Sequence, residues 1–391
     1  MVAACHTHSP DASLLMATKR HRLFGETSGF PESESQLGPL AVRARRLQGG
    51  LSDGLLLVEL VAGQTKVFVL PDRGLGIWKI LHGSVELGWQ SPVRGPVHPS
   101  FVPLAEPSGL GWLAGFDELI CRCGLLSCGA PEHVDGQLRH GLHGRIANLP
   151  AESVEVVLDD EAGTVTLSGV VHETRFLQYA LRLSSTLTLR AEGGGLRISD
   201  TVDNLSDTPA EMQILYHCNF GQPLLGEGAE LVAAIEELAP RDEAAVGDVP
   251  SWNRYAAARA GRGEQVHFCR LRPGPDGEAT ALLVAADRSR AACLSWHAAT
   301  LPCFTLWKNQ AGLADGYVTG LEPATNYPNP RSHEASQGRV VSLEAGGGVQ
   351  FQLGLDLLEG DAVEQEVTRI RSLGAEPLIH AKPKPGWSPP T

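Results

Sequence analysis

The chain is predicted to be all-β, a large antiparallel β-sandwich, and three observations carry that prediction. From residue 51 onward short β-branched or alternating apolar runs recur, among them LLLVELVAG, TKVFVLPDRG, TVTLSGVVHE and LRLSSTLTLRAEGGG. Turn residues separate them at regular intervals, while the 3.6-residue period of helices surfaces only in short pieces. The strands do not alternate with helical segments, which argues against βαβ units and a parallel sheet.

In chain order, residues 1–39 mix Ser, Pro, Glu and Gly without a clear period, most visibly in GETSGFPESESQLG at 25–38. They read as an N-terminal arm, partly irregular. Residues 40–360 form the expected sandwich domain. Its clearest hairpin turns are DDEAG at 159–163 and AEGGG at 191–195, because Asp and Gly tolerate the positive φ that tight connections demand. A further strand pair flanks the glycines at 346–348. Helical spacing is expected at 231–238 and at 362–373, and residues 361–391 make a C-terminal segment ending in a Pro-rich tail, AKPKPGWSPPT, suited to an extended strap.

Composition bounds the function. Charged residues are 20% and hydrophobic residues 42% of 391, which is a folding composition. A formal charge of −13 argues against nucleic acid or an anionic membrane as partner, since both attract basic surfaces. The N-terminus has only a five-residue apolar patch at 12–16 with no basic run before it, so it does not read as a signal peptide. No run approaches the roughly 20 apolar residues of a membrane helix, and a cytoplasmic location is the default expectation. Eight cysteines are too few for a disulfide scaffold and read as mainly free thiols.

Titratable residues interrupt the apolar pattern in three places: RHGLHGRIANLP at 139–150, ILYHCNFGQPLLGEG at 214–228, and GLEPATNYPNPRSHE at 320–334. His217 and Asn219 lie near a strand end, and Glu322 ends a strand before a rigid Pro/Asn loop, a placement that fixes side chains for a site. The pair His140 and His143 invites a zinc reading, but it sits in a Gly-rich loop rather than on a helix face. CRCGLLSC at 121–128 lacks a matching fourth ligand. No cofactor is expected from either motif.

GLEPATNYPN and YHCNFG, with HGLHGRIANLPA, LPDRGLGIW at 70–78 and the SP at 91–92, resemble segments of the galactose mutarotase superfamily, more closely an aldose 1-epimerase-like branch of it. The resemblance spans roughly residues 40–360. It implies a supersandwich with a sugar in an open cleft, and an anomer interconversion in which Glu322 is the base and His217 the acid. For His217 to act as an acid its pKa must be held up, most simply by the field of a nearby Glu322.

The resemblance also favours Arg73 and Arg145 as donors to sugar hydroxyls, Asn219 as a substrate contact, His143 as a positioning donor beside the ring oxygen, and His140 with it. Trp112, Trp307 and Tyr327 can offer apolar faces to a sugar. The expected partner is a small-molecule sugar. The HGLHGR segment departs from the more Gly-rich first-His region of ordinary galactose mutarotases, which leaves the substrate open. Another isomerase, carbon epimerase or lyase using the same acid and base, and a non-catalytic carbohydrate-binding protein, are the alternative functions.

Overall fold

A computed structural model describes residues 18–25, 33–374 and 376–389. The apolar patch at 12–16 and residues 26–32 of the expected arm lie outside the described residues. Two sheets face each other. The first has nine strands in the order Thr18–Phe24, Ser153–Asp159, Thr164–Arg175, Tyr179–Arg190, Leu196–Asn204, Gly348–Glu359, Arg290–His297, Glu278–Val284 and Glu230–Ala233. The second runs from Ser33–Leu37 through Leu40–Arg46, Leu56–Ala62, Thr65–Leu70, Gly76–His82, Ile120–Leu125, Ala210–Phe220, Val318–Ala324, Cys303–Asn309 and Gln265–Leu271 to Ile235–Pro240 and Leu378–Ile379. Every pairing is antiparallel except the last, where Leu378 runs parallel to Glu237. Two stretches of the expected arm, Thr18–Phe24 and Ser33–Leu37, are therefore edge strands, one in each sheet.

Period-two patterning produces this arrangement. Along Thr164–Arg175 buried residues alternate with partly exposed ones, so Val165, Leu167 and Val171 enter the core with one face left to solvent. Opposite them Leu40, Val58, Val67 and Ile77 of the second sheet join the same cluster. Each fully buried Leu or Val contributes about 1.5–3 kcal/mol. The turns at 159–163 and 191–195 close hairpins as expected, with Gly163, Gly193 and Gly194 at positive φ.

Two expectations are corrected. Residues 231–238 are not helical; they form the strands Glu230–Ala233 and Ile235–Pro240, since Val232, Leu238 and Ala239 are buried against neighbouring strands. The strands flanking 346–348 do not pair with each other. Val341–Leu343 joins Ala210–Met212, whereas Gly348–Glu359 inserts into the nine-stranded sheet, so the glycines mark a crossing between sheets. The second expected helix exists as Asp361–Ser372, burying Val363, Val367 and Ile370. In the tail, Trp387 packs against Tyr327 with ring centroids 5.0 Å apart. The Trp387 carbonyl accepts a 2.7 Å bond from Asn329 Nδ2, so the tail straps the loop that follows Glu322.

A buried ion pair pins the two sheets together. Arg122 donates from Nε to Asp200 Oδ2 at 2.5 Å and from Nη2 to Oδ1 at 2.9 Å and Ser185 Oγ at 2.8 Å. Tyr216 adds a 2.8 Å hydroxyl bond to Asp200. Because Tyr216 and His217 point to opposite faces, this pin fixes the strand whose outer side carries the site. Among the described residues seven cysteines are free and buried. Among the described residues no helix is long and apolar enough to cross a membrane.

Candidate active site

The strand Ala210–Phe220 is buried on both faces. Met212, Ile214, Tyr216, Cys218 and Phe220 enter the core between the sheets. Leu215, His217 and Asn219 face outward under a second apolar layer built from Trp112, Phe116, Cys121 and Cys123. That layer is why a histidine sits inside an apolar run. On the neighbouring strand Cys218 pairs with Leu321 and Asn219 with Gly320, so the register sets His217 opposite Glu322. Their side chains meet with Nε2 to Oε1 at 3.3 Å. Only 6% of the histidine side chain and 3% of the glutamate are exposed.

Asn219 sets the tautomer. Its Nδ2 donates to the carbonyls of Glu118 at 3.0 Å and His217 at 3.1 Å, which leaves Oδ1 as the atom 2.6 Å from His217 Nδ1. An amide oxygen only accepts, so Nδ1 carries a proton, and Nε2 of the neutral ring is free to accept from Glu322. Burial pushes the Glu322 carboxyl well above its usual range, with the charge of Glu264 adding to the effect. Burial also drives His217 well below its usual value, and the neighbouring His143 lowers it further. The expectation that Glu322 would hold His217 charged is thus reversed. In this dry setting the neutral pair, proton on Glu322, is favoured over two buried charges.

Acid and base are in direct contact, with no space for a sugar ring between them. The chemistry accommodates this: the anomeric hydroxyl and the ring oxygen are bonded to the same carbon, so the groups that serve them must lie close together.

Aromatic rings wall the pair. Phe116 lies 5.0 Å, Trp307 5.4 Å and Trp112 6.2 Å from the His217 ring centroid. Trp307 is tethered by a 2.7 Å bond from its Nε1 to Glu264. Gly320, opposite Trp307 in the register, makes room for all of this. A Cβ there would lie 2.5 Å from Glu322 Oε1, 3.1 Å from His217 Cε1 and 3.1 Å from Trp307 Cε3. A glycine inside a strand marking a close approach was the available sequence signal for it.

His143 stands perpendicular to His217 with centroids 5.3 Å apart. Its backbone is left-handed, φ 57, a conformation costly for a side chain bearing a Cβ. Hydrogen bonds on both sides hold it there, from its N–H to the Gly129 carbonyl at 2.8 Å and from the Gly124 N–H to its carbonyl at 3.1 Å. Its Nδ1 lies 3.0 Å from the Cys128 carbonyl and must donate, so Nε2 is an acceptor. Burial brings its pKa down to about 4, so it is neutral near pH 7 with Nε2 able only to accept, which does not fit the expected donor role.

The other expected residues fall elsewhere. Arg73 is 1% exposed, and its guanidinium is spent on Glu118 at 2.5 Å, Asn148 Oδ1 at 2.9 Å, and the Val97 and Gly115 carbonyls at 3.1 and 2.8 Å. It offers no open donor to a sugar and instead fixes the backbone around Phe116. Arg145 and His140 line a separate cleft beside Trp112. Tyr327 is buried among Phe268 and Trp387 with its hydroxyl on the Cys269 carbonyl, so it supports the strap and is not a sugar platform. Among the described residues no group of three or more His, Cys, Asp or Glu side chains could hold a metal ion.

A family model described as a domain of unknown function, DUF4432, matches residues 52–357, more than half of the chain. The chain belongs to this family. The structure of this DUF4432 protein is similar to that of a Klebsiella pneumoniae protein named a "putative aldose 1-epimerase", with a TM-score of 0.89 and 29% identity over 94% of this chain and 99% of that one. It shares its fold with a galactose mutarotase-like protein from Clostridium acetobutylicum, TM-score 0.57 and 14% identity, over 83% of this chain and 100% of that one. An Escherichia coli K12 protein bearing the same epimerase name as the first aligns at a TM-score of 0.51 and 13% identity, over 78% of this chain and 100% of that one. No curated protein sequence matches. The fold is galactose mutarotase-like, and the neighbours are aldose 1-epimerase-like and mutarotase-like proteins, as the sequence motifs implied.

Proposed function

We propose that this protein interconverts the α and β anomers of an aldose by passing one proton around the His217–Glu322 pair. The observation that carries the reading is the 3.3 Å contact between two buried groups whose pKa values are displaced in opposite directions. Such a pair holds one acid and one base at the same pH.

Neutral His217 Nε2 takes the proton of the anomeric hydroxyl while Glu322 gives its proton to the ring oxygen, and the C1–ring oxygen bond breaks to leave an open-chain aldehyde. After rotation about the C1–C2 bond, Glu322, now a carboxylate, takes the proton back from the chain hydroxyl. That oxygen attacks C1, and the imidazolium protonates the aldehyde oxygen. This reverses the assignment implied by the motifs, in which Glu322 as base takes the anomeric proton and His217 as acid serves the ring oxygen; the directions of the two pKa shifts support the reversal. His143 Nε2 accepts from a neighbouring hydroxyl. The pair is nearly covered, so a sugar reaches it by displacing part of the wall formed by Trp112, Phe116 and Trp307.

The test is proton NMR saturation transfer between anomers for a panel of free aldoses. Enzyme-dependent exchange without a new compound supports the reading. Appearance of a new compound would move the reaction to another carbon, and no effect on any aldose would count against it.

A further inference from the structure

An open cleft of about 1620 Å³ adjoins the pair without containing it. Trp112 belongs to both: it lines the cleft, and its ring lies 4.6 Å from His143 and 6.2 Å from His217. Two features of the cleft have no use in the fold. Trp112 Nε1 and Ser127 Oγ, on residues 1% and 2% exposed, have no hydrogen-bond partner. A buried indole N–H can only donate, and leaving it unpaired costs on the order of 1–3 kcal/mol unless something binds there.

The second feature is charge. Arg139, Arg145 and Arg175 all line the cleft and are exposed, and none makes an ion pair within 4 Å of an acid among the described residues. Three such cations in one recess stand out in a chain of formal charge −13. Acids on the same walls do little to cancel them. Glu211 is 2.9 Å from its own partner, Arg331. Glu173 is buried, accepts the Leu125 N–H at 2.6 Å, and has its carboxyl raised to about 7 by burial, so its charge is only partial near neutrality.

We infer that this cleft is a subsite for an anionic substituent, a carboxylate or phosphate, carried by the sugar whose anomeric centre is presented to His217 and Glu322. The inference rests on the anomerase reading for the position of the sugar ring, and it names the class of substrate: a charged rather than a neutral aldose. Trp112 Nε1 and Ser127 Oγ supply donors to the oxygens at the wall. The arginines supply charge and forked donors, the combination that selects carboxylate and phosphate over hydroxyl. A sugar ring on the far side of Trp112 would extend its substituent past the indole edge into the recess.

The test is isothermal titration of the wild-type protein with glucose, glucuronate and glucose 6-phosphate, repeated with the Arg145→Ala/Arg175→Ala variant and accompanied by anomeric exchange on the same samples. At about 50 mM salt the charged sugars should bind at least about tenfold tighter than glucose, with the preference shrinking as salt rises. The double variant should lose that preference while keeping its thermal melt. Equal affinity for charged and neutral sugars, or a preference that survives in the double variant, would overturn the inference. Exchange on glucose without charge preference defeats the subsite and leaves the reaction standing. Charge-selective binding lost in the double variant, with no exchange on any sugar, supports the subsite and defeats the anomerase reading.

Discussion

Asn219 Oδ1 lies 2.6 Å from His217 Nδ1, and the two bonds made by the Asn219 amide nitrogen leave the oxygen no other orientation. The imidazole is thereby fixed with Nε2 toward Glu322. Asn219→Leu removes the acceptor with little change in volume, so the ring loses its tautomer and a buried Nδ1–H is stranded. Turnover should fall about 10- to 100-fold with a smaller change in KM, measured by steady-state anomeric exchange on whichever aldose the screen identifies. Asn219→Asp should restore part of the loss, because it returns an acceptor at the same place.

The pH profile follows from the two shifts. The productive enzyme carries one proton between the two side chains. Acid inactivates it by adding a second proton to His217, whose pKa lies well below the ordinary 6.5, so the acid limb should fall below pH 6.5. Base inactivates it by removing the proton from Glu322, whose pKa lies well above 4.5, so the alkaline limb should lie on the basic side of an ordinary glutamate. These limbs are macroscopic properties of the pair. An acid limb above pH 6.5, or an alkaline limb at the ordinary 4.5 of a glutamate, would contradict the assignment.

Gly320→Ala should damage the site without unfolding the protein. The new methyl would lie 2.5 Å from Glu322 Oε1, closer than Cβ atoms come to a neighbour, and 3.1 Å from His217 Cε1, a tight contact. The carboxyl must rotate away from the imidazole, so kcat should drop by at least about tenfold while the melting temperature moves by only a few degrees.

Arg73→Ala should act on stability rather than affinity. It strands the Glu118 carboxyl in the interior after removing a 2.5 Å ion pair and bonds to Asn148, Val97 and Gly115. Breaking one partner of a buried pair costs about 3–5 kcal/mol, which denaturant titration will read directly. A normal stability with only a raised KM would return Arg73 to the sugar-binding role the motifs implied.

Glu173 provides a check on the pH dependence of stability. Its folded pKa of about 7 lies above the ordinary 4.5, so between those values the folded state binds more protons than the unfolded one. Stability contributed by this group is therefore full below about 4.5 and is lost as pH rises to about 7, by up to about 3 kcal/mol. Glu173→Gln keeps an acceptor for the Leu125 N–H and removes the titration. The variant should equal the wild type near pH 4 and exceed it above pH 7 in denaturant titrations.

The sandwich was legible because it rests on local regularities: alternation along Thr164–Arg175, Gly-rich turns at 163 and 193, and the spacing of apolar runs. The helical reading of 231–238 failed because a short apolar run buried on both faces has no period to read, and only neighbouring strands reveal it as two strands. His217, Asn219, Glu322 and His143 were found through motifs, and the structure brings these four together. The pairing register that sets His217 opposite Glu322 is non-local and invisible in either segment alone. For the same reason Arg73 was misread: its partners, Glu118, Gly115 and Asn148, lie 42 to 75 residues away, and an arginine in a turn gives no sign that its donors are already taken. Phe116 and Gly320 carried weak signals, an apolar residue beside two acids and a glycine within a strand.

The most direct test of the proton-sharing pair is the anomeric exchange rate of Glu322→Gln against wild type on the same aldose, followed by saturation-transfer NMR with a thermal melt alongside. Gln preserves the shape of Glu322 and can neither take nor give the proton the mechanism moves. The account predicts a loss of about 10²- to 10⁴-fold in kcat with the fold intact and sugar affinity weakened only modestly. Exchange at near-wild-type rate in Glu322→Gln would contradict it and place the proton transfers on other groups.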